Sequence, residues 1–129
     1  MPYLTELIDG GTGILRTGLG AVTGQELLDA AASLLAVAAE PRRITHALTD
    51  FSRVTSFDVS TAAMRQVVEL NLKNSEAMGI LHIAIVAPTD VAFGMSRMYG
   101  SMVESCGWTV TTFRTLNEAR AWLVAQLEK

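Results

Sequence analysis

The sequence predicts an α/β fold in two layers or a sandwich: an antiparallel hairpin at the amino terminus, then strand and helix repeats forming a mixed, mostly parallel sheet. Three observations predict it. Apolar residues recur at intervals of two in some stretches and of three and four in others, and the two kinds alternate along the chain. The stretch Ile80 to Ala87 is apolar at nearly every position, as a parallel strand covered on both faces is. Two Thr-x-x-Glu boxes, Thr23 to Glu26 and Thr115 to Glu118, mark helix starts where a hydroxyl and a carboxylate satisfy free amides.

Leu4 to Ile8 and Ile14 to Leu19 read as the hairpin strands, joined by Asp9-Gly10-Gly11-Thr12-Gly13, a turn whose glycines take positive φ without steric cost. A helix follows from Thr23 to about Glu40. Its Leu27, Leu28, Ala31, Leu34, Leu35 and Ala38 make one apolar face, and Pro41 cannot continue it. Ile44 to Phe51 is the next strand, and a helical pattern runs from about Ser60 to Met78, with Gly79 suited to its left-handed cap. In the central strand Ile80 to Ala87, Ile83 and Ile85 should face one way and Ala84 and Val86 the other. Pro88-Thr89-Asp90 starts a helix ending near Cys106-Gly107, Thr109 to Phe113 is the last strand, and Thr115 opens the last helix. No linker or low-complexity stretch interrupts residues 1–129, which read as a single domain.

A chain of 129 residues is long enough to bury most of its apolar surface without metals or bridges. It is 50% hydrophobic and 18% charged with a net charge of -3, so it offers no basic stripe to nucleic acid. Cys106 is the single cysteine and forms no internal disulfide, and Met1 to Glu6 lacks the basic and apolar regions of a signal peptide. Both lead to the expectation of a reducing, cytoplasmic setting. The longest nearly apolar stretch, Ala30 to Ala39, falls well short of the roughly 20 residues that span a bilayer, and no transmembrane segment is expected.

Leu48-Thr49-Asp50-Phe51-Ser52-Arg53-Val54-Thr55-Ser56-Phe57-Asp58-Val59-Ser60-Thr61 reads as a buried strand ending on an acid, a polar turn, and a second acid that opens a helix. This segment resembles the switch segment of the STAS, or SpoIIAA-like, domains, whose form is hydrophobic strand, Asp, loop, Asp-Ser-Ser-Gly, helix. Val59 stands in place of the first Ser, and Thr61-Ala62 in place of the Gly-Leu that usually follows. In many members of that family the second Ser accepts a phosphate, and Ser60 falls on that position. The segment Val86 to Met98, with its Phe93-Gly94 and Arg97-Met98, and the ending Phe113 to Leu123 are similar to bacterial STAS/SEC14-type proteins of unassigned function. The resemblance covers nearly the whole chain and implies a SpoIIAA-like fold.

The carboxyl ends of the parallel strands, where loops and helix starts converge, offer Asp50, Ser52, Asp58, Ser60, Thr61, Thr89, Asp90, Arg114 and Thr115. Asp58, Ser60, Asp90 and Thr115 also suit helix caps, and Asp50 suits a turn. Asp50, Ser52, Asp58, Ser60 and Thr61 form the candidate switch or partner loop. A phosphate on Ser60 would meet free amides and the positive end of a helix dipole while adding charge beside Asp58.

Catalytic inventories fail. His46 and His82 lie inside predicted strands, where a solitary His is usually a hydrogen-bonded core residue, and neither has a second His or Cys at ligand spacing. Cys106 lacks a neighbouring base and reads as a small inert hydrophobe. Gly18 to Gly24 imitates a dinucleotide loop, but the capping box starts the helix at Thr23, after Gly18 and Gly20. No metal and no cofactor is expected. The helix from Asp90 carries Phe93, Met95, Met98, Tyr99 and Met102, flexible apolar side chains that fill core gaps or meet varied partners, and Arg97 or Arg114 can receive an anionic head group.

Two readings from different classes fit these residues. The first is a non-enzymatic regulatory or interaction domain that meets another protein, or a second copy of itself as a homodimer, through the loop around Asp58 and Ser60. The second is a carrier of a small apolar, lipid-like molecule in a pocket under the Met-rich helix. A continuous cavity under that helix, or its absence, separates them.

Overall fold

The computed structural model describes residues 3–37, 44–79 and 81–129. One five-stranded sheet runs in the order β1-β2-β3-β4-β5, from β1 (Tyr3–Ile8), β2 (Gly13–Thr23), β3 (His46–Asp58), β4 (His82–Val86) and β5 (Thr109–Phe113). β1 and β2 pair antiparallel, and every other neighbour is parallel. The four helices are α1 (Gly24–Val37), α2 (Thr61–Met78), α3 (Asp90–Val103) and α4 (Leu116–Leu127). The expected α/β architecture is therefore present. The expected continuation of the first helix to Glu40 and its stop at Pro41 lie outside the described residues, as does the start of the central strand at Ile80.

Local chemistry sets most boundaries. The β1–β2 turn takes positive φ at Asp9, Gly10 and Gly11, a run that glycine permits and aspartate tolerates. Three helices open on the side chain of a residue just before them: Ser60 accepts from the Ala63 amide at 3.0 Å, Thr89 from Ala92 at 3.2 Å, and Thr115 from Glu118 at 3.3 Å. Asp58 and Asp90 are thus not caps. Asp58 ends β3, and Asp90 is the first residue inside α3, because in each case a hydroxyl beside it already serves the free amide.

The sheet has a helix layer on each side. Ile14, Ala47, Phe51, Ile83 and Ile85 face α1, α2 and α3 in the larger core, whereas Leu48, Ala84 and Val86 face α4 through Ala119 and Leu123. Ile83 and Ile85 therefore oppose Ala84 and Val86, as the pattern of β4 predicts.

One expectation is corrected. The polar turn expected after Asp50 is strand: β3 continues through Ser52 to Asp58 and pairs with Leu19 to Thr23 of β2, which runs past its expected end at Leu19. Two register shifts, between Thr17 and Leu19 and between Gly20 and Ala21, place extra β3 residues opposite β2. They break the two-residue period, so the polar stretch does not read as a strand. Only His46 to Asp50 of β3 pairs with β4; beyond Asp50 the ladder has two strands.

Candidate functional site

The long β3 divides the expected switch loop. Asp50 and Ser52 sit where β4 leaves the sheet, and the Asp50 Oδ1 accepts the Ser52 amide at 2.8 Å, a local turn bond at the first register shift. Asp58, Ser60 and Thr61 lie eight residues farther on, roughly 20–25 Å away along an extended chain. They are exposed at the start of α2. Thr23 pairs with Asp58, and the Glu26 carboxylate accepts from the Thr23 amide at 2.9 Å. Gly24 runs so close to Ala63 that a Cβ there would lie 2.7 Å from the Ala63 Cβ. The starts of α1 and α2 are thereby held side by side around Ser60. The first turn of α2 carries no acidic residue, unlike those of α1, α3 and α4.

The third group of expected residues meets at the ends of β4 and β5. Arg114 bonds the Asp90 Oδ1 and the Pro88 carbonyl, both at 2.9 Å, and its guanidinium lies 4.1 Å from the centre of the Phe93 ring. Arg97 stands 6.0 Å from the same ring. The Arg114 charge is already paired at this exposed corner. The structure therefore gives Arg114 a part in fastening the β5–α4 turn to the start of α3.

A cavity of about 100 Å³ lies between the sheet and the layer of α1, α2 and α3. Ile14, Leu27, Leu34, Phe51, Ile83, Ile85 and Trp108 supply apolar wall; Tyr3, Arg16, Thr49, Asn71, Ser96 and Tyr99 supply polar groups. From α3 it receives Ser96 and Tyr99. Met95, Met98 and Met102 do not line it; the buried side of α3 carries Ala92, Ser96 and Val103.

Strand register explains the polar wall. Arg16 of β2 stands beside Thr49 of β3 and, one strand on, Ile85 of β4, all on the helix face. Arg16 is only 8% exposed, and its Nη2 donates to the Ala30 carbonyl of α1 at a long 3.3 Å. Among the described residues the ion pairs are His46–Asp9 and Arg114–Asp90, so no carboxylate there meets Arg16. Burial pushes the Tyr3 phenol up, opposed by Arg16 beside it, and burial likewise pushes Tyr99 up although Asn71 donates to its hydroxyl at 2.8 Å. Tyr99 is half-buried as a residue; its hydroxyl is enclosed. Asn74 ties the same cluster to the Ala31 carbonyl at 2.9 Å and to Asn71 at 3.0 Å, so α1, α2 and α3 share one buried polar network.

Sequence reasoning names Tyr99 but passes over Arg16, Tyr3, Thr49, Asn71 and Ser96. One signal was present. In Ile14-Leu15-Arg16-Thr17-Gly18, strict alternation puts Arg16 on the same face as Ile14, the side that a hairpin strand buries.

The remaining reactive side chains are accounted for. His46 is 3% exposed and held between Thr45 Oγ1 at 2.8 Å and Asp9 Oδ2 at 2.6 Å, with Gly13 opposite because a Cβ there would strike the imidazole. His82 packs edge-on to Trp122, and its buried Nδ1 has no partner among the described residues. Cys106 donates to the Val103 carbonyl at 3.0 Å. Trp108 anchors through its indole N–H to the Gly79 carbonyl at 2.8 Å. Among the described residues no three His, Cys, Asp or Glu side chains gather where a metal could sit, and no helix is long and apolar enough to cross a membrane.

The sequence matches no protein-family model and no curated protein. Solved structures do resemble it. The crystal structure of an uncharacterized protein of the DUF3478 family with a SpoIIAA-like fold, from Shewanella loihica PV-4, has a TM-score of 0.59 at 17% identity, over 94% of this chain and 91% of that one. The anti-sigma factor antagonist SpoIIAA in its unphosphorylated form has a TM-score of 0.52 at 12% identity, over 94% of this chain and 96% of that one. Both likenesses span nearly the whole of each chain and agree with the mixed sheet and its helix order, so the chain has a SpoIIAA-like fold.

Proposed function

We propose that this chain is a non-enzymatic regulatory or protein-interaction domain, switched at Ser60. The observation that carries the reading is Ser60 itself: an exposed hydroxyl capping α2, beside exposed Asp58 and Thr61, on a fold shared with an anti-sigma factor antagonist solved in its unphosphorylated form. A phosphate there would keep the cap, since its oxygens accept the same first-turn amides and the helix dipole favours negative charge. It would also set charge beside Asp58, altering the surface without refolding the domain. The partner is another protein or a second copy of this chain; exposed Leu4 and Leu7 on the edge strand β1 suit self-association. The test compares wild type, Ser60→Ala and Ser60→Asp for bound partners in host lysate, together with the mass of the tryptic peptide bearing Ser60. A changed partner set for Ser60→Asp alone, with phosphate on Ser60, supports the switch. Identical partner sets and an unmodified Ser60 reduce the residue to a cap.

A second reading rests on a separate observation, the core cavity. It makes the chain a carrier of a small molecule with an apolar body. At about 100 Å³ the cavity is smaller than the ~300–1,000 Å³ of pockets for drug-sized ligands, so the ligand is smaller than a two-chain lipid.

A further inference from the structure

We infer that the core cavity is a binding site for a short-chain monocarboxylate, its carboxylate held by Arg16 and its alkyl body lying against the apolar wall. This inference rests on the carrier reading and names its ligand class.

Three features of the cavity point the same way. The first is the guanidinium. Arg16 brings five N–H donors into the core, where its Nη2 reaches the Ala30 carbonyl at a long 3.3 Å and its guanidinium lies 6.0 Å from the centre of the Tyr3 ring, contacts that leave most of the fork unused. Buried charges are paired as a rule; a planar fork of donors matches a carboxylate or a phosphate, and the apolar walls beside it suit the alkyl body of a carboxylate. The second is the sign of the surrounding polar groups. The Tyr3 ring lies 6.0 Å from the Arg16 guanidinium, and the Tyr99 hydroxyl accepts from Asn71 and so keeps its own proton to donate. The polar wall thus presents donors around one positive charge, with no acid among the described residues to compete for it. The third is size. Taking about 30 Å³ for each water-sized group, 100 Å³ holds about three such groups, the carboxylate among them, so the site takes a short chain and a longer one enters only as the walls yield. Butyrate lies near that limit and hexanoate tests how far the walls yield; water alone satisfies the donors but leaves the apolar walls wet.

Trp108 lines the cavity, whereas Trp122 packs on the far face of the sheet against the α4 core. Trp122→Phe therefore leaves a protein whose tryptophan emission reads the cavity. In that background, butyrate, hexanoate and neutral 1-hexanol are titrated at constant ionic strength, and the same series is run on Arg16→Met and Arg16→Lys. Hexanoate should give a saturable change and bind at least about tenfold more tightly than hexanol, the range expected of a charge-assisted hydrogen bond. Arg16→Met, of similar length and uncharged, should remove that preference while its melting temperature holds or rises, since an unpaired buried charge leaves the core. Arg16→Lys should retain part of the preference. Equal affinity for hexanoate and hexanol, or unchanged hexanoate binding in Arg16→Met, overturns the carboxylate assignment while the carrier reading survives. No saturable signal with any of the three overturns both.

Discussion

Arg16 and Tyr99 show how a residue's meaning depends on the strand or helix beside it. Arg16 reads locally as one charge in a hairpin strand, and only the register with Thr49 and Ile85 reveals that it points into the larger core. Tyr99 was legible as an apolar helix residue; its hydroxyl's place in the Asn71–Asn74 network depends on contacts 28 positions away, which no local pattern encodes. The enclosed phenols carry a pH signature. Burial raises Tyr3 and Tyr99 above the ordinary value of about 10. Below pH ~10 both are neutral folded or unfolded and contribute nothing to pH dependence. Above it the unfolded phenols ionise while the folded ones hold their protons, so the folded state binds more protons and stability falls as pH rises. Tyr99→Phe should cost about 1 kcal/mol at pH 8 through the lost hydrogen bond. It should also lose about 1 kcal/mol less than wild type between pH 9 and 11, a difference that denaturant melts at the two pH values measure.

At the scale of elements, the helices were the most legible. Their caps are short-range devices, and Ser60, Thr115 and the Thr23–Glu26 box appear in the chain as they act in the fold. Strand β3 was half legible. Its first part, His46 to Asp50, is buried but for Asp50 and flanked on both sides, whereas Ser52 to Asp58 is mostly polar and owes its extension to pairing with a strand more than thirty residues earlier. Strand β4 lies between β3 and β5 with α4 on one face and the three-helix layer on the other, so its side chains have little room to relax. Ile85→Ala should cost roughly 2–4 kcal/mol, toward the upper end because it enlarges a cavity already present. A loss below about 0.5 kcal/mol in denaturant melts would mean that the strand is not packed as described.

The whole molecule joins an uneven pair of layers. Three helices cover one face of the sheet, but α4 alone serves the other, packing on β3, β4 and β5 and leaving the hairpin side of that face without a helix among the described residues. The sequence foretold the layers but not their imbalance, because the apolar stripe of a helix does not tell which side of a sheet it will cover. With exposed Leu4 on that bare side of the hairpin and Leu7 on the edge strand, the chain should sediment as a twofold dimer at tens of micromolar, and Leu4→Glu should shift it toward monomer. Monomer alone at that concentration would assign the hairpin surface to a different protein.

The ribbon that β2 and β3 make beyond the edge of β4 has a consequence in time as well as in shape. From Ser52 to Asp58 the two register shifts interrupt the alternation of β3, and each backbone amide that does not bond to β2 lies open on a side where no strand follows among the described residues. Deuterium uptake along this strand should therefore be uneven beyond Asp50: slow at each position bonded to β2, fast at the others, and uniformly slow only from His46 to Asp50, where strands stand on both sides. A single strand would thus keep two clocks, and the residue at which the record changes from steady to uneven should be the one where the five-stranded sheet gives way to the two-stranded arm leading to Ser60.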